Sequence, residues 1–330
     1  MKPLDVLSDV LRAVQLTGVV YFDFTLRPPW VAEAPPSREI ADTVLPGSER
    51  IIEYHLFARG SAWGHAIGGE PIHLREGDLL IFPQGDAHVL SSAPGMRSTP
   101  DLSMYARAST PLPLVYELGT DGDTRSTRII CGFFGCDERP YNPLLPALPA
   151  VIHLPAAGTE ATTRPLGAML EMAIRAERRG QPGNENVLSR LSELMLVEAI
   201  RRYLVELPGT QLSWLAGLRD PIVGRALEAI HGAPRDPWTI ESLGRTIGVS
   251  RSVLAARFTE MVGHPPMHYL TLWRMQLASR MLHDGQQVIV VARAVGYESE
   301  AAFSRAFKKL MGVPPVLWRR RSRGATDSGP

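Results

Sequence analysis

Residues 295–315 read VGYESEAAFSRAFKKLMGVPP, and residues 247–266 read IGVSRSVLAARFTEMVGHPP. Each stretch holds a glycine, a serine placed to cap a helix, an apolar residue (Leu254 or Phe303) four before a phenylalanine (Phe258 or Phe307), a second glycine five after it, and a proline pair. The phenylalanines lie 49 positions apart, longer than common solenoid repeats, and there are two copies, so the repeat reads as a duplicated functional unit. Upstream of each copy runs a short helical pattern, TIESLGRTI from Thr239 and VIVVARAV from Val288. A glycine that tolerates positive φ reverses the chain within a few residues, and Ser250 or Ser299 then caps the next helix. Two helix-turn-helix units are expected, held apart by a linking helix from about Pro266 to His283.

In the second unit Phe303, Phe307 and Leu310 fall on one helix face, while Glu300, Ala301, Ser304, Arg305 and Lys308 fall on the other. The first face buries and the second is presented. The chain's net charge of +1 hides a division: residues 221–330 carry 15 Lys and Arg against 8 Asp and Glu, whereas residues 1–220 carry 20 against 26. A basic C-terminal part facing a polyanion is the direct reading. Successive major grooves on one side of B-DNA are about 34 Å apart, so one chain with two recognition helices can enter both. The lysines Lys308 and Lys309 and the tail RRRSR (319–323), beginning at Arg319, are expected near phosphates.

These motifs, with the linker LWRMQLASRMLHDG, resemble the DNA-binding domain of the AraC/XylS transcriptional regulators over about residues 222–321. The resemblance implies base contacts from Arg251, Ser252, Ala255 and Ala256 in the first unit, and from Glu300, Ala301, Ser304 and Arg305 in the second. Arg305 is the foremost candidate, because a guanidinium pairs bidentately with guanine; Glu300 could accept from cytosine.

The N-terminal half has another texture. From about Asp42 to Leu154, short β-rich runs alternate with Gly, Pro and Asp turns, the spacing of a sandwich or barrel. The Pro-rich LRPPWVAEAPP before it reads as an extended segment wrapping the sheets. GDLLIFPQGDAHVLSS (77–92) carries Gly77, Pro83, Gly85 and His88, and EYHLFARG (53–60) carries Glu53 and Gly60. Together they resemble a cupin-like sensor domain, although the paired His-x-His of a cupin metal centre is missing. In a strand Glu53 and His55 share a face, and His88 should approach them. Cys131 and Cys136 are the only cysteines, too few for a disulfide framework. From a later strand they would complete a His55, His88, Cys131 and Cys136 set suited to zinc or another divalent metal. With Glu53, the same histidines could instead hold an organic effector.

The fold class expected is α+β and multidomain: a cupin-like β-barrel or sandwich over 1–157, a helical connector or dimerisation region over 158–215, and an all-α double helix-turn-helix over 221–323. In the connector the candidates for burial include Leu188, Leu191, Leu194, Met195, Val197 and Leu204. The function expected is sequence-specific transcriptional regulation in the cytoplasm, on double-stranded promoter DNA, answering to a small-molecule or metal effector. A homodimer and contact with RNA polymerase complete the partners, and no membrane is involved. The alternative is a cupin-type metal-dependent dioxygenase or isomerase with an accessory helical domain. It gives no reason for the duplicated C-terminal unit.

Overall fold

The β-branched and aromatic runs TGVVYFDFTL and RIIEYHLFAR form the two ten-residue strands β1 (Thr17–Leu26) and β3 (Arg50–Arg59). Both pair with β9 (Thr127–Cys136), also ten residues long and buried along almost its whole length. The computed structural model describes residues 4–14, 16–106, 112–119, 126–136, 140–156, 163–177, 182–208 and 211–326. Among these, β6 (Leu79–Phe82), β8 (Leu114–Leu118) and β10 (Ile152–Leu154) complete a six-stranded sheet ordered β10-β6-β3-β9-β1-β8. A second sheet, ordered β2-β7-β4-β5, consists of β2 (Val31–Ala34), β4 (Ser61–Ala66), β5 (Ile72–Arg75) and β7 (His88–Ser91). Phe22, Phe57, Leu80, Phe82 and Phe133 from the first sheet and Ala62, Leu74 and Leu90 from the second lie in one buried cluster. The two sheets therefore share a core, as a cupin-like barrel or sandwich requires. β1 itself runs through residues where the sequence suggested no strand, and the expected wrapping segment holds its end and β2.

The chain divides into two compact units. One holds both sheets, the short helix α2 (Ala41–Val44), and the helices α3 (Thr163–Glu177) and α4 (Asn184–Glu206). Leu188, Leu191, Met195, Leu196, Ala199 and Ile200 of α4 are buried, and α4 packs on β1. Leu194 is exposed, while Val197 and Leu204 are half-buried, because they lie off this stripe. Arg128 of β9 fastens α3 to the sheet: its guanidinium donates twice to the buried Asp23 carboxylate of β1, at 2.9 and 3.0 Å, and once to Glu171 of α3 at 3.1 Å.

The other unit holds Met1–Val14, Glu138–Ala147 and Leu207–Pro330. It contains α1 (Val6–Ala13), α5 (Trp214–Gly217), α6 (Val223–Gly232), α7 (Ile240–Ile247), α8 (Arg251–Val262), α9 (Pro266–His283), α10 (Val288–Ala294), α11 (Glu300–Met311) and α12 (Pro315–Thr326). This two-unit division groups the chain differently from the three-part division expected over 1–157, 158–215 and 221–323. The helices of the connector belong with the sheets, because the stripe of α4 is spent on β1. The first fourteen residues and the segment 138–147 belong with the C-terminal helices, because Val6, Leu7 and Val10 of α1 bury against α6 and α9. Gln276 of α9 secures both additions: its side-chain amide donates to the Ala13 carbonyl at 2.8 Å and its oxygen accepts from the Tyr141 N–H at 3.1 Å.

Candidate functional site

Gly248 and Gly296, at φ 77° and 81°, make the two reversals that the sequence requires. The Ser250 hydroxyl then accepts from the Val253 N–H at 3.3 Å, and the Ser299 hydroxyl from the Ala302 N–H at 3.2 Å. These caps start α8 and α11, each twelve residues long and each ended by a left-handed glycine, Gly263 or Gly312. α8 buries Leu254, Phe258 and Met261; α11 buries Phe303, Phe307 and Met311. Leu310, expected on that face, is 37% exposed, since a helical turn of 3.6 residues brings Met311 under Phe307 instead.

The opposite faces carry the expected contact residues. Arg251, Ser252 and Ala256 are exposed with Ala255 half-buried, and Glu300, Ala301, Arg305, Lys308 and Lys309 are exposed with Ser304 half-buried. Arg251 pairs loosely with Glu241 at 3.3 Å, a solvent-exposed bridge worth little on its own. Arg319 donates to the Gln286 carbonyl at 3.3 Å, which holds it at the start of the basic tail; the side chains of 321–323 lie outside the described residues. Two capped helices with their apolar faces satisfied and their polar faces free of the core, the second carrying Arg305, Lys308 and Lys309, are suited to lie along a polyanion.

The second constellation is built on the register of β3 and β9, which pairs His55 with Cys131, Glu53 with Phe133, and Arg50 with Cys136. Side chains alternate across a strand, so Glu53, His55 and Cys131 point inward together. Cys136, five positions beyond Cys131, points to the other face with Arg50 and leaves the expected ligand set. His88 arrives from the other sheet at the start of β7. Its approach depends on Gly85, whose φ of 67° and tight packing on Ser37 and the Ile51 carbonyl leave no room for a side chain.

Inside, the hydrogen bonds fix one another. The Asp86 carbonyl can only accept, so His88 Nδ1 donates to it at 3.0 Å and leaves Nε2 bare. His55 Nε2 therefore donates to His88 Nε2 at 2.7 Å, and His55 Nδ1 accepts from the Cys131 thiol at 3.0 Å. The Ser37 hydroxyl donates to Glu53 Oε1 at 2.6 Å, and Glu53 Oε2 stands 3.8 Å from His88 Nε2. All are buried, and burial keeps them neutral: the Glu53 carboxyl is pushed up to about 8, His88 falls to about 4, His55 falls well below an ordinary imidazole and the Cys131 thiol rises. They close one end of a cavity of about 240 Å³ whose remaining wall is mainly apolar, including Phe22, Phe24, Trp30, Leu90, Tyr105 and Ile129. Among the described residues no Lys or Arg lines it.

A cupin family profile matches residues 5–205, and a helix-turn-helix domain profile matches residues 243–321. An AraC-like transcription regulator of Streptomyces lividans is 35% identical over 82% of this chain and 87% of its own. The chain belongs to the AraC-like transcription regulators. Another relative, the transcriptional regulator AlkR of Acinetobacter baylyi, is 31% identical over 81% of this chain and 87% of its own. The C-terminal domain of AraT, a response regulator from Geobacillus stearothermophilus, is 35% identical with a TM-score of 0.30, covering 31% of this chain and 86% of that one.

As an AraC-like regulator the chain binds double-stranded DNA and is not an enzyme, which sets aside the dioxygenase or isomerase alternative. Among the described residues no helix is long and apolar enough to cross a membrane. The structure brings Glu53, His55, His88 and Cys131 together, but Cys131 reaches the ring nitrogen of His55 that faces away from His88. Sequence reading missed Ser37, the Asp86 carbonyl and the aromatic wall of β1. The alternation in VVYFDFTL carried the signal for that wall.

Proposed function

We propose that this AraC-like regulator is ligand-responsive and sequence-specific, works in the cytoplasm, and answers to a small molecule held between its two sheets. The observation that carries the reading is the apolar cavity closed at one end by four buried polar side chains, the usual form of a small-molecule site. Among the described residues Glu33, Glu53 and Asp101 line it and no Lys or Arg does, so the chemistry favours a neutral body with one hydrogen-bonding head group over an anion.

The route from cavity to DNA follows the chain. β1 and β9 both line the cavity; β1 is preceded by α1, and β9 is followed by the segment 138–147. Both flanking pieces belong to the unit of the C-terminal helices, where Gln276 holds them against α9, the helix between the two helix-turn-helix units. An effector with different affinities for two arrangements of β1 and β9 biases what α9 holds. Met169, Met172, Val187 and Leu194, exposed on α3 and α4, offer an apolar surface for a second copy, giving a homodimer on paired half-sites. RNA polymerase is the partner such a promoter-bound dimer would address.

A thermal-shift screen of neutral aromatic and aliphatic alcohols, aldehydes and ketones tests the sensor. A binder raises the melting temperature with the logarithm of its concentration, and Leu90→Trp, which fills the cavity, should remove the shift. A shift unchanged in folded Leu90→Trp protein would place the ligand elsewhere and defeat the reading.

A further inference from the structure

We propose that Arg274 and Gly296 lock the two helix-turn-helix units against each other, and so set the spacing between the two grooves that one chain reads on DNA. The inference concerns DNA geometry alone and is independent of the effector reading above.

The linking helix by itself leaves one freedom open. α9 enters the packing of both units: Tyr269 meets Phe258 of α8 edge-on at 5.5 Å, while Met275, Ala278 and Leu282 lie in the cluster of Phe303 and Phe307. A shared helix fixes the distance between the units, but packed elements still slide and rock against one another. A second contact removes that motion.

The loop between α6 and α7 supplies it. Trp238 Nε1 donates to the Ala233 carbonyl at 2.9 Å, which closes this loop and makes it a fixed part of the first unit. The Arg274 guanidinium, from α9, donates to the loop carbonyls of Pro234 at 2.7 Å and Asp236 at 2.8 Å. Between them the Arg235 carbonyl faces Gly296, the turn of the second unit: a Cβ on Gly296 would stand 2.4 Å from that oxygen and 3.0 Å from the guanidinium. The neighbouring Tyr297 packs edge-on against Phe303 at 5.6 Å, which ties the turn to the second unit. The two units therefore touch directly as well as through α9.

The duplication contains its own control. Gly248 makes the equivalent turn of the first unit, at φ 77° beside 81°, yet a Cβ on it would meet nothing within 4 Å among the described residues. Chain reversal accounts for both glycines. Only contact between the units accounts for the crowding at Gly296. Each base-pair step of B-DNA advances about 3.4 Å and turns roughly 34°. A site lengthened by one base pair asks one recognition helix to move by that much relative to the other, and the backbone pressed against Gly296 resists it.

The test uses the full chain on a duplex that the wild type selects from a randomised pool. Further duplexes lengthen or shorten the centre, between the two major-groove segments that footprinting shows protected, by one or two base pairs. Affinities are read by fluorescence anisotropy at a single salt concentration, with melting temperatures alongside. The wild type should bind one spacing best, and Arg274→Met should narrow that preference by about tenfold, the size of one set of hydrogen bonds to a charged group. Arg274→Lys, which keeps the charge but not the fork, should fall between the two. Gly296→Ala should flatten or shift the preference. Gly248→Ala, with the same backbone strain and no clash, should lower the melting temperature and keep the wild-type preference. A wild type indifferent to spacing, an unchanged preference in Arg274→Met or in folded Gly296→Ala, or an equal change in Gly248→Ala overturns the proposal. The two Arg274 variants keep the test decisive where Gly296→Ala does not fold.

Discussion

The side-chain amide of Gln276 donates to the backbone carbonyl of Ala13, across 263 positions of sequence, at 2.8 Å. Its oxygen accepts from Tyr141, so one buried side chain satisfies two backbone groups from different parts of the chain. Replacing it with an apolar residue strands both groups. Gln276→Leu should cost about 1–3 kcal/mol of stability. It should also leave DNA affinity intact while weakening the response of that affinity to an effector. Equal melting temperatures and an equal effector response in mutant and wild type would dispose of this fastening.

Phe258 and Phe307 occupy equivalent places in α8 and α11 and are both fully buried. Phe307→Ala should destabilise the C-terminal unit by about 3–5 kcal/mol through the cavity it leaves. Leu310→Ala, three positions on but 37% exposed, should change stability by less than about 0.5 kcal/mol. Denaturant melts of the two variants check this, and similar losses from both would mean that the buried face is misassigned.

How much of this was open to sequence reading depends on where each instruction resides. The helix-turn-helix units were legible because their instructions are local: Gly248 and Gly296 set the reversals, Ser250 and Ser299 the caps, and Phe258 and Phe307 the anchors. The convergence of Glu53, His55 and His88 followed from strand parity and one turn motif. Register was not legible, and register decides that Cys131 faces His55 while Cys136 faces away with Arg50. The assignment of α1 and 138–147 to the C-terminal unit rests on Gln276, a contact between residues remote in sequence that no local pattern records. The stripe of α4 was visible, but what it packs on is a property of β1, a strand the Pro-rich flank concealed.

Arg305 stands exposed on α11, on the face opposite Phe307. If it reads a base edge, Arg305→Ala should cost about 1–3 kcal/mol on the best site and relax preference at one position. If it touches only phosphate, every sequence should lose alike and the salt slope should fall by about one. Titrations of wild type and mutant against a set of single-base variants, at two salt concentrations, separate the two.

His231 gives the C-terminal unit a pH dependence. Tyr269 Oη accepts from Trp214 and donates to His231 Nε2 at 2.8 Å, so the imidazole proton sits on Nδ1, without a hydrogen-bond partner and 3.8 Å from Asp9 of α1. The Trp273 ring lies 4.2 Å from the His231 ring, tilted by 32°. Burial holds the pKa of His231 below its ordinary value, against a smaller opposing pull from Asp9. The unfolded chain takes up this proton near pH 6.5, the folded chain only at lower pH. Its contribution is therefore in place above about pH 6.5 and is lost as pH falls toward the folded pKa. Melting temperature should drop between pH 7 and 5 by more in wild type than in His231→Gln; identical profiles would falsify the assignment.

The exposed face of α3 and α4 makes the last case. Val187 and Leu194 are seven residues apart on α4, hence on one side of the helix, and are 47% and 52% exposed; Met172 of α3 is 70% exposed. Their neighbours Leu188, Leu191 and Met195 are already buried against the unit's own sheet, so this second stripe has no role in that packing. A charge placed in it acts on self-association and spares the fold. Leu194→Glu should leave the melting temperature of the dilute protein nearly unchanged, convert dimers to monomers in light scattering, and weaken binding to paired half-sites far more than to a single one. If the wild type is monomeric at micromolar concentration, or Leu194→Glu dimerises equally well, the second copy does not dock on this face.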